Sequence, residues 1–227
     1  MYYGKSDASA VSSIINTMIK GDDGVVGNFI ESVAGSAVLS HSAGKYNSLE
    51  NSVDDAFASG HVLSDYNFKA WIKEYRVMSG AADQSTFFGL FDSASIANLI
   101  GTSTDKSPLR RFFITRLNSG GSYSDTILIR YVDASGTFYY WNGTGWQTGS
   151  YRFDFGAVSL QFVIWSDGTA LYADVLNMSR VSLLTNPVSI AISSVKSFSD
   201  GVCLAWAENW TNIGYSVCFD CIEGRSS

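Results

Sequence analysis

The chain has 227 residues, enough to bury a full core as one sandwich without splitting into two domains. Hydrophobic residues make up 46% and charged residues only 16%, under the roughly 25% usual for soluble domains, so Ser, Thr, Asn and Gly must cover much of the surface. A formal net charge of −6 repels a phosphate backbone, which argues against nucleic acid as a partner.

Met1 leads straight into Tyr2-Tyr3-Gly4, with no basic start and no apolar stretch, so no export signal is read here and export would need one upstream. Residues 8–20 carry Val11, Ile14, Ile15, Met18 and Ile19 at helical spacing, with Ser6 or Asp7 as N-cap and Gly21 as stop. This is the one substantial helix expected, in an N-terminal tail over 1–24 left from an upstream domain or linker. Residues 35–59 read as polar and irregular, with a short strand at 37–41. The longest apolar runs, such as 160–165, fall far short of the roughly 20 residues of a membrane helix.

From residue 61 to 222 the sequence reads as strand after strand. Predicted strands are 68–75, 86–91, 111–116, 126–132, 137–141, 160–165, 170–175, 202–206 and 215–222, short and rich in β-branched or aromatic residues. Turn signals separate them: Asn118-Ser119-Gly120-Gly121, Ala134-Ser135-Gly136, Asn142-Gly143, Ser166-Asp167-Gly168 and Ser199-Asp200-Gly201. Two hairpins are marked, one across an Asn142-Gly143 turn of the two-residue kind and one across Asp167-Gly168. Regular spacing of this sort points to an antiparallel sandwich or barrel over 25–222. The end, Ile222-Glu223-Gly224-Arg225, resembles a factor Xa site, so 223–227 is read either as an added tail or as a native strand end.

Cys203, Cys218 and Cys221 all fall near the C-terminus. A turn near Trp210-Thr211 would set Cys203 opposite Cys218 within disulfide reach, with Cys221 the second choice. A bridge suits an oxidising compartment, and three buried thiols suit a reducing one. The sequons at Asn142, Asn177 and Asn209 add little in so Ser/Thr/Asn-rich a chain.

The order of strands resembles a concanavalin A-like lectin/glucanase domain over about residues 25–222. Phe68-Lys69-Ala70-Trp71-Ile72 resembles an early strand of that superfamily, and Thr86-Phe87-Phe88-Gly89-Leu90-Phe91 the next. Residues 137–146 and 159–172 resemble two hairpins of the laminin-G-like members, and Phe219-Asp220-Cys221-Ile222 the closing strand. The resemblance implies an all-β, antiparallel jelly-roll β-sandwich. The start, Tyr2-Tyr3-Gly4, is similar to the end of a surface-protein β-domain with a YYGN-like strand, with Asp22-Asp23-Gly24 in place of that domain's Asp-Asp-Phe. That likeness implies a fragment of a larger multidomain parent.

Catalytic members of the superfamily carry E-x-D-x-x-E, because retaining hydrolysis needs two carboxyl groups about 5–5.5 Å apart. No such motif occurs here. Glu50, Glu74 and Glu208 read as solvated surface, and the Gln-x-His strand of polysaccharide lyases is missing. His41 and His61 stand without a nucleophile signature or a His-Glu-x-x-His motif and read as surface histidines.

Aromatic residues near turns are the remaining signal. Sugars present apolar faces that stack on Trp and Tyr, while their hydroxyls bond Asn and Asp. Trp146 and Trp210 are the leading candidates, with Asn142, Asn209 and Tyr151 beside them. Tyr139, Trp141, Trp165 and Trp206 are assigned to the core. Asp154 and Asp167 are the candidate ligands of a Ca²⁺ site, the only cofactor considered, although Asp167 also reads as a plain turn residue.

The expected function is a non-catalytic carbohydrate-binding or adhesive module of a larger secreted or cell-surface protein. A glycoside hydrolase or polysaccharide lyase of the same fold is the alternative. A structural subunit of a surface layer, fibre or virion is the second. Expected partners are a glycan and other domains of the parent, without membrane insertion.

Overall fold

The computed structural model describes residues 20–21, 30–36, 38–42, 45–49, 56–63, 66, 68–76, 84–100, 107–118, 125–155, 159–209 and 215–223. Its strands are β1 (Lys20–Gly21), β2 (Ile30–Ala34), β3 (Val38–Ser42), β4 (Lys45–Leu49), β5 (Ala56–Leu63), β6 (Phe68–Arg76), β7 (Gln84–Asp92), β8 (Arg110–Asn118) and β9 (Asp125–Val132). They continue with β10 (Phe138–Trp141), β11 (Trp146–Gln147), β12 (Phe153–Asp154), β13 (Leu160–Ser166), β14 (Ala170–Leu176), β15 (Val188–Ala191), β16 (Val202–Asn209) and β17 (Tyr215–Glu223).

Two antiparallel sheets form a jelly-roll sandwich. The eight-stranded sheet runs β15-β14-β13-β6-β17-β4-β3, with β1 on β17. The nine-stranded sheet runs β11-β10-β9-β8-β7-β16-β5-β2, with β12 on β9. Strand periodicity sends alternate side chains to opposite faces. Phe68, Ala70 and Ile72 of β6 and Phe162 and Ile164 of β13 therefore meet Phe88, Leu90, Phe112, Ile114, Leu204 and Trp206 of the other sheet in one inter-sheet core. Trp206 is fully buried, edge-on to Phe57 at 4.4 Å. Burying each such ring contributes roughly 1.5–3 kcal/mol.

The nine-stranded sheet is apolar on its outer face as well. Phe87, Phe91, Phe113, Cys203, Ala205 and Ala207 form a second cluster there, closed by Ile96 and Leu99 of a 3₁₀ turn. Ser95 starts that turn, its hydroxyl oxygen accepting from Ala97 N. Strands apolar on both sides need close neighbours, and at Gly89 the approach is extreme. A Cβ there would lie 2.3 Å from Phe112 O and 2.5 Å from Phe113 Cα, so only glycine fits against β8.

One end of the sandwich is pinned by a buried ion pair. Arg111 Nη2 donates to Asp92 Oδ2 at 2.6 Å, and Asp92 also accepts from Ser199 N, Ser199 Oγ and Asp200 N. Burial alone would raise the Asp92 carboxyl. The donors from Asp200 and Ser199, together with the Arg111 charge, hold it below the usual carboxylate range instead.

Several expectations are corrected. Residues 8–19 lie outside the described residues, and Lys20, the expected end of the helix, pairs with Cys221 as strand. The segment read as irregular carries β4 and β5 besides the expected short strand. At Asn142-Gly143 the chain makes a longer loop, with Trp141 opposite Trp146. The turn meant to join Cys203 and Cys218 is not a hairpin, because β16 and β17 belong to different sheets. Cys203 is a buried free thiol within 2.8 Å of Ser93 O. It sits in the cluster on the outer face of the nine-stranded sheet, turned away from the sheet that holds β17. The side chains of Cys218 and Cys221 lie outside the described residues.

Candidate functional site

Trp146 is drawn back into the structure. It packs edge-on against Tyr131 (4.8 Å) and Trp141 (5.5 Å), borders the inter-sheet core, and donates from Nε1 to Ser189 O at 3.0 Å. This ring joins the edge of one sheet to the edge of the other. Asn142 is committed to its own loop, its Oδ1 accepting from Thr144 N, Thr144 Oγ1 and Gly145 N. Tyr151 is 41% exposed and edge-on to Phe153. Asn209 closes β16, opposite Ala56 and Ser85. Trp210 lies outside the described residues.

The acidic candidates are not assembled as a cation site. Asp154 belongs to the nine-stranded sheet and Asp167 to a hairpin of the other. Asp167 Oδ1 accepts from Thr169 N, Thr169 Oγ1 and Ala170 N, and Oδ2 accepts from Tyr172 Oη at 2.9 Å. These bonds, led by the one from Ala170, push its carboxyl far down and tie it into its own turn. Among the described residues no three His, Cys, Asp or Glu gather as a cation site requires. His41 and His61 stand in different sheets.

An aromatic surface does exist, on the outer face of the eight-stranded sheet. Register places Lys69 of β6, Trp165 of β13 and Tyr172 of β14 in one row across three strands. Trp165 and Tyr172 stack face to face, centroids 5.1 Å apart at 9°. Lys69 Nζ lies 4.6 Å from the Trp71 ring and 5.5 Å from the Trp165 ring, so one exposed ammonium joins two indoles. All three rings are half-buried. The Asp167 loop holds Tyr172 by its hydroxyl, and that bond raises the phenol's pKa. The row is thus a braced flat face with a cation beside it and hydrogen-bonding groups at the rim.

Trp165, assigned to the core from sequence, is therefore an outward ring. The parity of Phe68-Lys69-Ala70-Trp71-Ile72 already carried part of this signal, since Trp71 shares a face with Lys69. Tyr139, Trp141 and Trp206 do pack on or in the inter-sheet core.

No protein-family model and no curated relative matches the sequence. Solved structures do. The VIP36 exoplasmic/lumenal domain in its Ca²⁺/Man2-bound form aligns with a TM-score of 0.55 at 10% identity, over 92% of this chain and 88% of that one. The legume lectin-like domain from Entamoeba histolytica aligns at 0.50 and 8% identity, over 86% of this chain and 90% of that one. The CBM2 module of the Lactobacillus casei BL23 phage J-1 evolved Dit aligns at 0.53 and 9% identity, over 93% and 98%. Likeness at such identities defines the fold, a lectin-like jelly roll, as the strand order implied.

Proposed function

We propose that this chain is a non-catalytic carbohydrate-binding module that stacks a sugar on Trp165 and Tyr172, with Trp71 and Lys69 extending the platform. The observation that carries the reading is the stacked, braced pair of outward rings beside an exposed ammonium. Sugar C–H faces bind such rings, and the Asp167 loop and Lys69 offer partners for hydroxyls. The lectin-like fold supports the reading, as does the absence of an E-x-D-x-x-E motif from the sequence. VIP36 binds Ca²⁺ and mannose sugars in its solved forms; Asp154 and Asp167 lie in different sheets, and the platform is assigned no metal.

The setting we propose is extracellular or on a surface, where the module over 25–222 adheres to glycans for a larger parent. Because one structural neighbour is a phage-borne module, a subunit of a virion is the second reading of that setting.

A glycan array, followed by titration calorimetry on hits, tests the function. Each stacked ring contributes about 1–2 kcal/mol, so Trp165→Ala or Tyr172→Ala should weaken binding about 5–30-fold. Binding that survives the Trp165→Ala, Tyr172→Ala double variant would overturn the platform. Release of reducing ends from any bound polysaccharide would replace the module with an enzyme.

A further inference from the structure

The segment that follows β14 turns back on that strand and is pinned by two buried side chains that the platform does not use. Leu176 bridges to Ser182, and Leu183 N donates to Val175 O at 2.8 Å. Gln161 of β13, 2% exposed, donates from Nε2 to Asn177 O and Met178 O, each at 3.3 Å. Asp174 of β14, 8% exposed, meets the Ser182 hydroxyl at 2.7 Å through Oδ1, which also accepts from Val175 N at 2.8 Å. Gln161 pairs with Leu176, Val163 with Asp174 and Trp165 with Tyr172, so both pins share the outer face of the platform.

Around Ser182 the hydrogen bonds are one proton short. Its Oγ lies 2.7 Å from Asp174 Oδ1 and 2.9 Å from Leu184 O, both acceptors, and accepts from Leu184 N at 3.1 Å. A hydroxyl has one hydrogen and two lone pairs. With Asp174 ionised, one of those two oxygens therefore faces Ser182 Oγ with no hydrogen between them. Gln161 Oε1 is a further buried acceptor, without a partner among the described residues. A proton on Asp174 completes the set around Ser182: the carboxyl donates to Ser182 Oγ, Ser182 donates to Leu184 O, and Leu184 N keeps its acceptor.

The surroundings of Asp174 favour the neutral acid. β13 presents Gln161, Val163 and Trp165 on this face, and β14 itself presents Tyr172 and Leu176. The one charge of residues 177–184, Arg180, is exposed at the tip, and among the described residues no cation pairs with Asp174. On β6, beyond β13, Lys69 is engaged with Trp71 and Trp165, and the side chain of Lys73 lies outside the described residues. Burial, the largest influence, raises the Asp174 carboxyl above its ordinary value, against the Ser182 and Val175 bonds that lower it.

We propose that Asp174 is a proton-operated latch, independent of sugar binding: protonated, it holds residues 177–184 against the end of β14, and ionised, it loosens them. Because the folded value is raised, the latch's contribution is complete below the unfolded value, about 3.9. It is lost as pH rises through the folded value.

The test compares wild type with Asp174→Asn, whose amide nitrogen donates to Ser182 Oγ at every pH as the protonated acid does. In thermal unfolding the variant's Tm should exceed that of wild type by about 2–4 °C at pH 8, and the gap should close towards pH 4. Hydrogen exchange, corrected for intrinsic rates, reads the segment itself. Protection of the Leu183 and Leu184 amides should fall severalfold in wild type from pH 4 to pH 8 and stay constant in the variant. If Asp174→Asn does not fold, Ser182→Ala, which removes the hydroxyl that takes the proton, should have low protection at pH 4 and no such fall. A variant less stable than wild type at pH 8, a Tm gap that is the same at every pH, or wild-type protection constant over the range would overturn the latch. Failure of glycan binding would leave it standing.

Discussion

On the outside of the eight-stranded sheet, Trp165 and Tyr172 stack as half-buried rings beside an exposed Lys69. On the outside of the nine-stranded sheet, Phe87, Phe91 and Phe113 are at most 2% exposed, and arginines lie among them. The strands concerned are equally aromatic. What differs is coverage: Ile96 and Leu99 pack down on the second face, joined there by the partly buried Leu109. Whether an outward ring becomes core or binding surface is decided by the segment that covers the sheet, not by its own strand. A covered face resists change, and an open one tolerates it, which gives the comparison its tests.

The largest effect is expected at the buried ion pair that holds the covered face's rim. Asp92→Ala leaves the Arg111 charge buried without its partner and should cost about 3–5 kcal/mol in urea unfolding. The pH dependence has a fixed sign. Asp92's folded pKa is lowered, so its contribution is present above the unfolded value, about 3.9. It fades as pH falls below about 4 towards the folded value. A variant as stable as wild type at pH 7 would remove the pair from the frame of the fold.

Trp146→Ala comes next, because that ring closes the sandwich edge through Tyr131, Trp141 and Ser189. It should cost about 2–3 kcal/mol, below the roughly 3–5 of a fully buried Trp. Glycan binding that fails while Tm stays unchanged would return Trp146 to the role predicted from its polar loop. A smaller effect is expected at Cys203. Burial raises its thiol to about 12, so iodoacetamide at pH 8 should modify it only after unfolding. A Cys203 still unmodified in denatured, non-reduced protein would restore the bridge predicted from sequence.

How much could be read beforehand follows from where local signals decide. From residue 68 onward, alternating aromatic and β-branched residues between Gly turns place the longer strands, because their faces and ends are written locally, whereas Phe153–Asp154 and Val188–Ala191 are too short to show a period and were missed. The strands Ile30–Ala34, Lys45–Leu49 and Ala56–Leu63 were hidden. Their Ser, Ala and Asn have weak β-propensity, and they are strands because β5 and β17 supply ladders to pair with. Trp146 misled because a loop's polarity says nothing about which way its ring turns. The run Leu160–Trp165 misled in the other direction: a continuous apolar stretch reads as buried on both faces, although Trp165 shares a face with Lys69 and Tyr172. Cys203 and Cys218 looked like hairpin partners because sequence separation cannot reveal that the chain changes sheet between them.

The smallest stability effect is also the sharpest test of the comparison. Trp165→Ala removes an outward ring from an uncovered face. It loses a stacked pair with Tyr172 and a cation contact with Lys69, each solvent-accessible on one side. Such contacts contribute about 0.5–1 kcal/mol apiece, and no buried cavity opens, so losing both should shift unfolding by about 1–2 kcal/mol. The matched change on the covered face is Phe113→Ala, where Phe87, Phe138, Arg110 and Arg130 all lose a partner and a void remains. That variant should lose about 3–5 kcal/mol. If the two cost the same in one urea titration, the outer faces are equivalent: Trp165 is then a core ring under cover, and the sugar platform with it is lost.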